Sequence, residues 1–89
     1  MHLTVEISLY PLQAKYKKPI KKFIRALKKD KQVSIYTTAM STYISGEYDR
    51  VMGLLSTEMK EVFNQIPASA VVIKLIPADL QVEKGFLSI

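Results

Sequence analysis

Residues 3 to 10 alternate without interruption. Leu3, Val5, Ile7 and Leu9 are apolar, and Thr4, Glu6, Ser8 and Tyr10 carry polar atoms between them. A period of two marks a strand with one face toward a core, so the chain must build a sheet and cover one side of it. Pro11 ends this strand, because proline has no N–H to give to a ladder.

The pattern then changes period. Tyr16, Ile20, Phe23, Ile24 and Leu27 recur at spacings of three and four and predict a helix over 16–29. Pro19 is tolerated only in the first turn, which puts the start near Lys17 or Lys18. Lys18, Lys21, Lys22, Arg25, Lys28 and Lys29 fall on the opposite, solvent side. Val33 to Thr38 reads as a second strand and Thr42 to Ser45 as a third, joined as a hairpin through Ala39-Met40-Ser41. Gly46 is expected to break the strand. Tyr48 to Gln65 reads as a second helix, with Tyr48, Val51, Met52, Leu55, Met59, Val62, Phe63 and Ile66 on one stripe. Glu47 and Asp49 stand at its start, where negative charge is favoured. Gly53 inside it costs about 1 kcal/mol relative to alanine and is expected to mark close packing against a neighbour. Ala70 to Ile76 is a nearly continuous apolar run, read as a fourth strand and closed by Pro77.

The order is β-α-β-β-α-β. Two helices with one apolar stripe each can cover only one face of a four-stranded sheet. Right-handed connections then give an α+β, ferredoxin-like split βαβ arrangement with strands one and three in the centre. Residues 1–77 form this single domain. Residues 78–89 are a C-terminal tail with an apolar end, Phe86-Leu87-Ile89, suited to contact a neighbouring protomer. The uncovered face is expected to hold Glu6, Ser8 and Tyr10 together with Tyr36, Met40, Val72 and Ile76. An exposed face this apolar predicts a homo-oligomer, a dimer or tetramer assembled through it.

Composition removes several alternatives. A chain of 89 residues buries about 60% of its unfolded surface, so its core is thin and a partner surface would help. It has no cysteine and a single histidine, His2, which excludes disulfide frameworks, thiol catalysis and multi-histidine metal clusters. No apolar run approaches the roughly 18 residues of a membrane span, and no secretory signal pattern opens the chain. The expected location is the cytoplasm.

Enzyme signatures are absent. There is no glycine-rich phosphate loop and no nucleophile elbow. Ser41 and Thr42 lack an evident base, and His2 stands beside the terminus. Acylphosphatases share this element order, but their loop after strand one needs arginine and glycine, and Pro11-Leu12-Gln13-Ala14-Lys15 has neither.

The net charge of +5 is uneven. Residues 1–45 carry nine Lys/Arg and two Asp/Glu, whereas residues 46–89 carry four and six. A basic block raises nucleic-acid binding. The RNA-recognition motif has this same element order but needs a basic, glycine-rich signature with stacking aromatics on strand three. Thr42-Tyr43-Ile44-Ser45-Gly46-Glu47 lacks it, and the lysines lie on a helix away from the sheet surface that would stack bases. Nucleic acid is therefore not the expected partner. The hairpin offers a different chemistry. Thr37, Thr38, Ser41, Thr42 and Ser45 crowd it, with Met40, Tyr43, Tyr48 and Glu47 among or beside them. Hydroxyls, aromatic edges, a thioether and a carboxylate suit a flat polar ring, although threonine in a hairpin is also ordinary strand chemistry.

Three segments carry a resemblance. Val5-Glu6-Ile7-Ser8-Leu9-Tyr10-Pro11-Leu12, Met40-Ser41-Thr42 and Gly46-Glu47-Tyr48-Asp49-Arg50-Val51-Met52 together resemble the YkoF-like and related thiamine-binding, ferredoxin-like proteins, over residues 3 to 77. The resemblance implies a non-enzymatic protein that binds thiamine or its hydroxymethylpyrimidine moiety as a small-molecule ligand, with no other cofactor, as a homodimer or tetramer. Carried over by motif, the ligand-binding residues are Glu6, Thr38, Met40, Ser41, Thr42 and Glu47. Ala39 departs from the more polar or glycine residue expected before Met-Ser-Thr. The basic first helix is nothing that thiamine requires, though it could meet the phosphates of a thiamine phosphate. The alternative is a structural or regulatory interaction module without ligand, and after it nucleic-acid binding through the first helix.

Overall fold

The alternating segment forms β1, His2–Pro11, and the rest of the fold is hung on it. The computed structural model describes residues 1–82. After β1 come α1, Lys17–Lys28; β2, Ser34–Thr37; β3, Thr42–Glu47; α2, Tyr48–Gln65; and β4, Ser69–Ile76. The sheet is antiparallel throughout, in the order β2-β3-β1-β4, so strands one and three are central as expected. Pro11 is the last paired residue of β1, opposite Ser69, a strand end that needs no donor from it.

Register assigns the faces. Leu3, Val5, Ile7 and Leu9 point toward the helices with Ile44 of β3 and with Val71 and Ile73 of β4. Phe23 and Leu27 of α1 and Val51 and Leu55 of α2 close over them. Val5, Leu27, Ile44 and Val51 are fully excluded from solvent. Burying each such aliphatic side chain contributes about 1.5–3 kcal/mol.

Two glycines behave differently from their sequence expectation. Gly46 does not break β3. It remains in the strand and points inward, where a Cβ would stand 3.1 Å from Cγ1 of Val33 and 3.3 Å from Cγ2 of Val51. An added methyl there would crowd Val33 of the segment before β2 and Val51 of α2, which would have to give by a few tenths of an ångström. Gly53 marks no close packing. It is exposed on α2, with nothing within 4 Å of the position of a Cβ.

The face away from the helices carries exposed Tyr10, Tyr36 and Val72. Tyr36 and Tyr43 lie across β2 and β3 with ring centroids 6.4 Å apart. Thr4, at 3% exposure, is the exception. Its Oγ1 donates to the Ala78 carbonyl at 2.6 Å and accepts from the Leu80 N–H at 3.4 Å. The chain after β4 therefore turns back over this end of the sheet. The expected protomer contact by Phe86-Leu87-Ile89 lies outside the described residues. Among the described residues, no helix is long and apolar enough to cross a membrane.

The open surroundings of Gly53 give a direct test. Gly53→Ala should raise stability by about 0.5–1 kcal/mol, through propensity and a less flexible unfolded chain. Leu27→Ala should lower it by about 2–5 kcal/mol, through the cavity left in a filled core. Urea unfolding of the two variants beside the parent checks both signs.

Candidate functional site

A cavity of about 370 Å³ opens where the end of β1, the first half of α1 and the β2–β3 hairpin meet. Its apolar wall comes from Ile7, Leu9, Phe23 and Ile20, with Tyr16 and Leu12 exposed at the mouth. The hairpin wall brings hydroxyls. Thr37 and Thr42, opposite each other in register, both face inward, and their Oγ1 atoms are 3.3 Å apart. A concave, mostly apolar site with a few convergent polar groups is the usual form of a small-molecule site. A second depression, about 450 Å³, lies between α2 and β4 beside exposed Phe63 and Leu75, but only Ser56, Lys60 and Asn64 give it polar groups.

The six residues expected at the site do not all meet. Thr38 serves the turn. Its Oγ1 accepts from the N–H groups of Met40 at 3.1 Å and Ser41 at 3.2 Å, and donates to the Ser41 carbonyl at 3.1 Å. Its own N–H donates to the same carbonyl at 2.9 Å. A threonine side chain thus closes a turn that lacks an Asn-Gly pair. Met40, at the tip, is 85% exposed and lines the cavity mouth.

Ser41 and Thr42 are neighbours in sequence but lie on opposite faces of the sheet. Thr42 points into the cavity wall, whereas Ser41 Oγ donates to Glu6 Oε2 at 3.1 Å on the outer face. Glu6 is the centre of a polar cluster there. Tyr43 stands opposite it on β3 and Lys74 opposite it on β4, with Lys74 Nζ 3.3 Å from Glu6 Oε1. The Tyr43 hydroxyl first, then that of Ser41, holds the Glu6 carboxyl below its ordinary value of 4.5. Partial burial opposes them, and Lys74 adds to the lowering.

Glu47 stands apart, at the far end of β3 from the hairpin. It is the N-cap of α2, its carboxylate accepting from the Arg50 N–H at 3.1 Å. That bond, and a second from the Asp49 N–H, lower its pKa. The structure therefore brings Thr38, Met40, Ser41 and Thr42 together, ties Glu6 to them through Ser41, and leaves Glu47 with capping.

The sequence named Thr37 among the hairpin hydroxyls but not among the residues carried over by motif, and it passed over Tyr16 and Lys74 as site residues. Tyr16 carried a signal, since an aromatic residue just before a helix start is free to rim a cleft. Lys74 carried none, because its partner is set only by the β1–β4 register. His2 Nε2 lies 2.6 Å from Ser45 Oγ and 3.8 Å from Asp79 Oδ1. Both approach the same ring nitrogen, so the trio lacks the through-ring relay of a catalytic triad.

Glu6, Asp30 and Glu47 all have lowered pKa values; for Asp30 the Arg50 side chain is the first cause. A carboxylate with a depressed folded pKa adds stability that is fully present above its unfolded value and is lost as pH falls through the folded one. Stability should therefore fall below the ordinary carboxylate range. Glu6→Gln should be less stable than the parent at pH 7, and the gap should narrow by about pH 3. Urea midpoints at the two pH values measure it.

The sheet-and-helix arrangement recurs among solved structures. A Streptococcus pneumoniae protein matches with a TM-score of 0.83 at 19% identity, covering 98% of each chain. A hypothetical protein from the archaeon Methanocaldococcus jannaschii matches with a TM-score of 0.78 at 22% identity, over 99% of this chain and 98% of its own. A candidate thiamine biosynthesis/salvage protein from Thermotoga maritima matches with a TM-score of 0.80 at 11% identity, over 93% and 95% of the two chains. At these identities the likeness is one of fold. No curated protein sequence matches. The profile of one family does match, over residues 5–79, the span from the core of β1 to just past β4. This chain belongs to the thiamine-binding protein family.

Proposed function

We propose that the protein binds thiamine, or its hydroxymethylpyrimidine moiety, in the hairpin cavity and holds it without turnover. Family membership supplies the ligand class. The observation that carries the location is the convergence of the Thr37 and Thr42 hydroxyls on a mostly apolar cavity of about 370 Å³. That volume suits a ligand of this size. A hydroxyl both donates and accepts, so the threonine pair can meet the ring nitrogens and the amino group of an aminopyrimidine. Phe23 and Tyr16 offer flat apolar contact to the ring. Ser41, held by Glu6, and Met40 form the rim on the hairpin side.

The outer sheet face supports a homo-oligomer in this reading. Tyr10, Tyr36 and Val72 there, with Met40 at the hairpin tip, leave apolar surface that a second copy would cover. A neighbour seated on that face would also close over Met40 and the cavity mouth.

Isothermal titration with thiamine and with hydroxymethylpyrimidine should give saturable heat in the micromolar range. Tyr16→Ala, at a half-exposed position that the fold does not need, should weaken binding about tenfold, the loss of roughly one aromatic contact. Glu47→Ala should lower the melting temperature and leave the affinity unchanged. Silence with both ligands would overturn the reading and leave a protein-interaction module as the account of the fold.

A further inference from the structure

The charges around the cavity do not match those of a free thiamine cation. None of the residues lining it is aspartate or glutamate. The carboxylate tied to the hairpin, Glu6, lies on the outer face, where Ser41 and Lys74 already engage it. A thiazolium ring in the cavity would have no counter-charge from its walls.

Helix α1 supplies the opposite sign. Residues 7–29 contain no acidic residue, and within that span Lys17, Lys18, Lys21, Lys22, Arg25, Lys28 and Lys29 crowd one helix. Among the described residues none of them forms an ion pair, whereas Arg50 and Lys74 elsewhere each have one. The helix also places like charges four residues apart at 17 and 21, 18 and 22, 21 and 25, and 25 and 29. Each of these pairs opposes the helix. A merely solvated face would mix signs and gain from such spacings.

Helical register decides which cations reach the cavity. Ile20 and Ile24 line it. Neither Lys17 nor Lys21 lines the cavity, but Lys17 lies three residues before Ile20 and Lys21 three before Ile24, so both exposed ammonium groups flank the lining stripe and can swing toward its edge. Lys18, Arg25 and Lys29 fall on the side away from it.

Resting on the thiamine-binding reading, we infer that the ligand is a phosphorylated form: an aminopyrimidine compound whose phosphate leaves the cavity mouth and is met by Lys17 and Lys21. The pyrimidine occupies the hydroxyl-bearing wall. The far end of the molecule reaches the rim at Tyr16, whose ring face suits a thiazolium, and the phosphate lies against the two ammonium groups. The phosphate brings about two negative charges to a site that has only positive ones at its edge.

The test is a parallel titration of the full chain with thiamine, thiamine monophosphate, thiamine diphosphate, hydroxymethylpyrimidine phosphate and inorganic pyrophosphate. At low salt the phosphorylated ligands should bind about tenfold more tightly than thiamine, and the preference should shrink as salt is raised and screens the lysines. In a Lys17→Gln/Lys21→Gln variant the phosphorylated ligands should fall to the affinity of thiamine. A Lys18→Gln/Lys29→Gln variant should keep the preference. Circular dichroism confirms that both surface variants fold. Equal affinity for thiamine and its phosphates would overturn the inference and leave the thiamine-binding reading standing. Pyrophosphate binding that depends on Lys17 and Lys21, with every pyrimidine ligand ignored, would support the anion site and sink the thiamine reading instead. A labelled single-stranded oligonucleotide that binds tightly while the thiamine phosphates do not would assign the helix to nucleic acid and overturn the inference.

Discussion

Because β1 lies in the middle of the sheet, it must satisfy two demands at once. It hydrogen-bonds to β3 on one side and β4 on the other, so its backbone is committed over most of its length. Its side chains are then free only to choose a face. The four apolar residues from Leu3 to Leu9 anchor both helices, and removing any of them would expose the contact between sheet and helix layer. The three polar residues between them are employed as well. Thr4 holds the chain after β4, Glu6 holds Ser41, and Ser8 Oγ donates to the Met40 carbonyl at 3.4 Å. One strand thus connects the core, the hairpin and the returning tail.

That connection bears on the cavity. Hairpin loops usually move, and a ligand that must order a loop loses affinity in doing so. Here the tip is closed by Thr38 and is tethered to β1 by Ser41 and by the Met40 carbonyl. Each tether is a modest interaction, and the Glu6–Lys74 pair is partly exposed and screened. Their value lies in direction rather than strength: they hold Thr37 and Thr42 against the cavity before anything binds. Lowering the pKa of Glu6 keeps it an acceptor, which the Ser41 hydroxyl requires.

Periodicity made the elements legible. β1, α1 and α2 were readable from the spacing of apolar residues and the other strands from β-branched or continuous apolar runs and the short hairpin connection, with ends displaced by at most two positions, and the central placement of strands one and three followed from element order. What escaped depended on tertiary neighbours. Gly46 and Gly53 are both glycines in regular elements, yet only Gly46 faces Val33 and Val51, and no local pattern distinguishes them. The Met40-Ser41-Thr42 motif looks like one unit, but the pleat sends Ser41 and Thr42 to opposite faces. Glu47 is five residues from Thr42, and an extended strand carries it about 16 Å away. Motif proximity in a strand is therefore a poor guide to shared site membership, whereas register is a good one.

The two helices share a layer but are stabilised by different means. α2 begins with a side-chain cap from Glu47 and an acid, Asp49, in its first turn, both favourable to its dipole. α1 begins at Tyr16 with no side-chain cap and no acid in the first turn, and its lysines repel one another. Its local electrostatics are unfavourable everywhere except the last turn, where Arg25 and Lys28 suit the helix end. What holds α1 is the burial of Phe23 and Leu27 against β1, so its outer surface contributes little to folding. A surface that the fold does not need, and that works against its own helix, is one whose charges are explained by what comes to it from outside. On this chain, the edge of that surface bearing Lys17 and Lys21 flanks the Ile20 and Ile24 side chains that line the hairpin cavity.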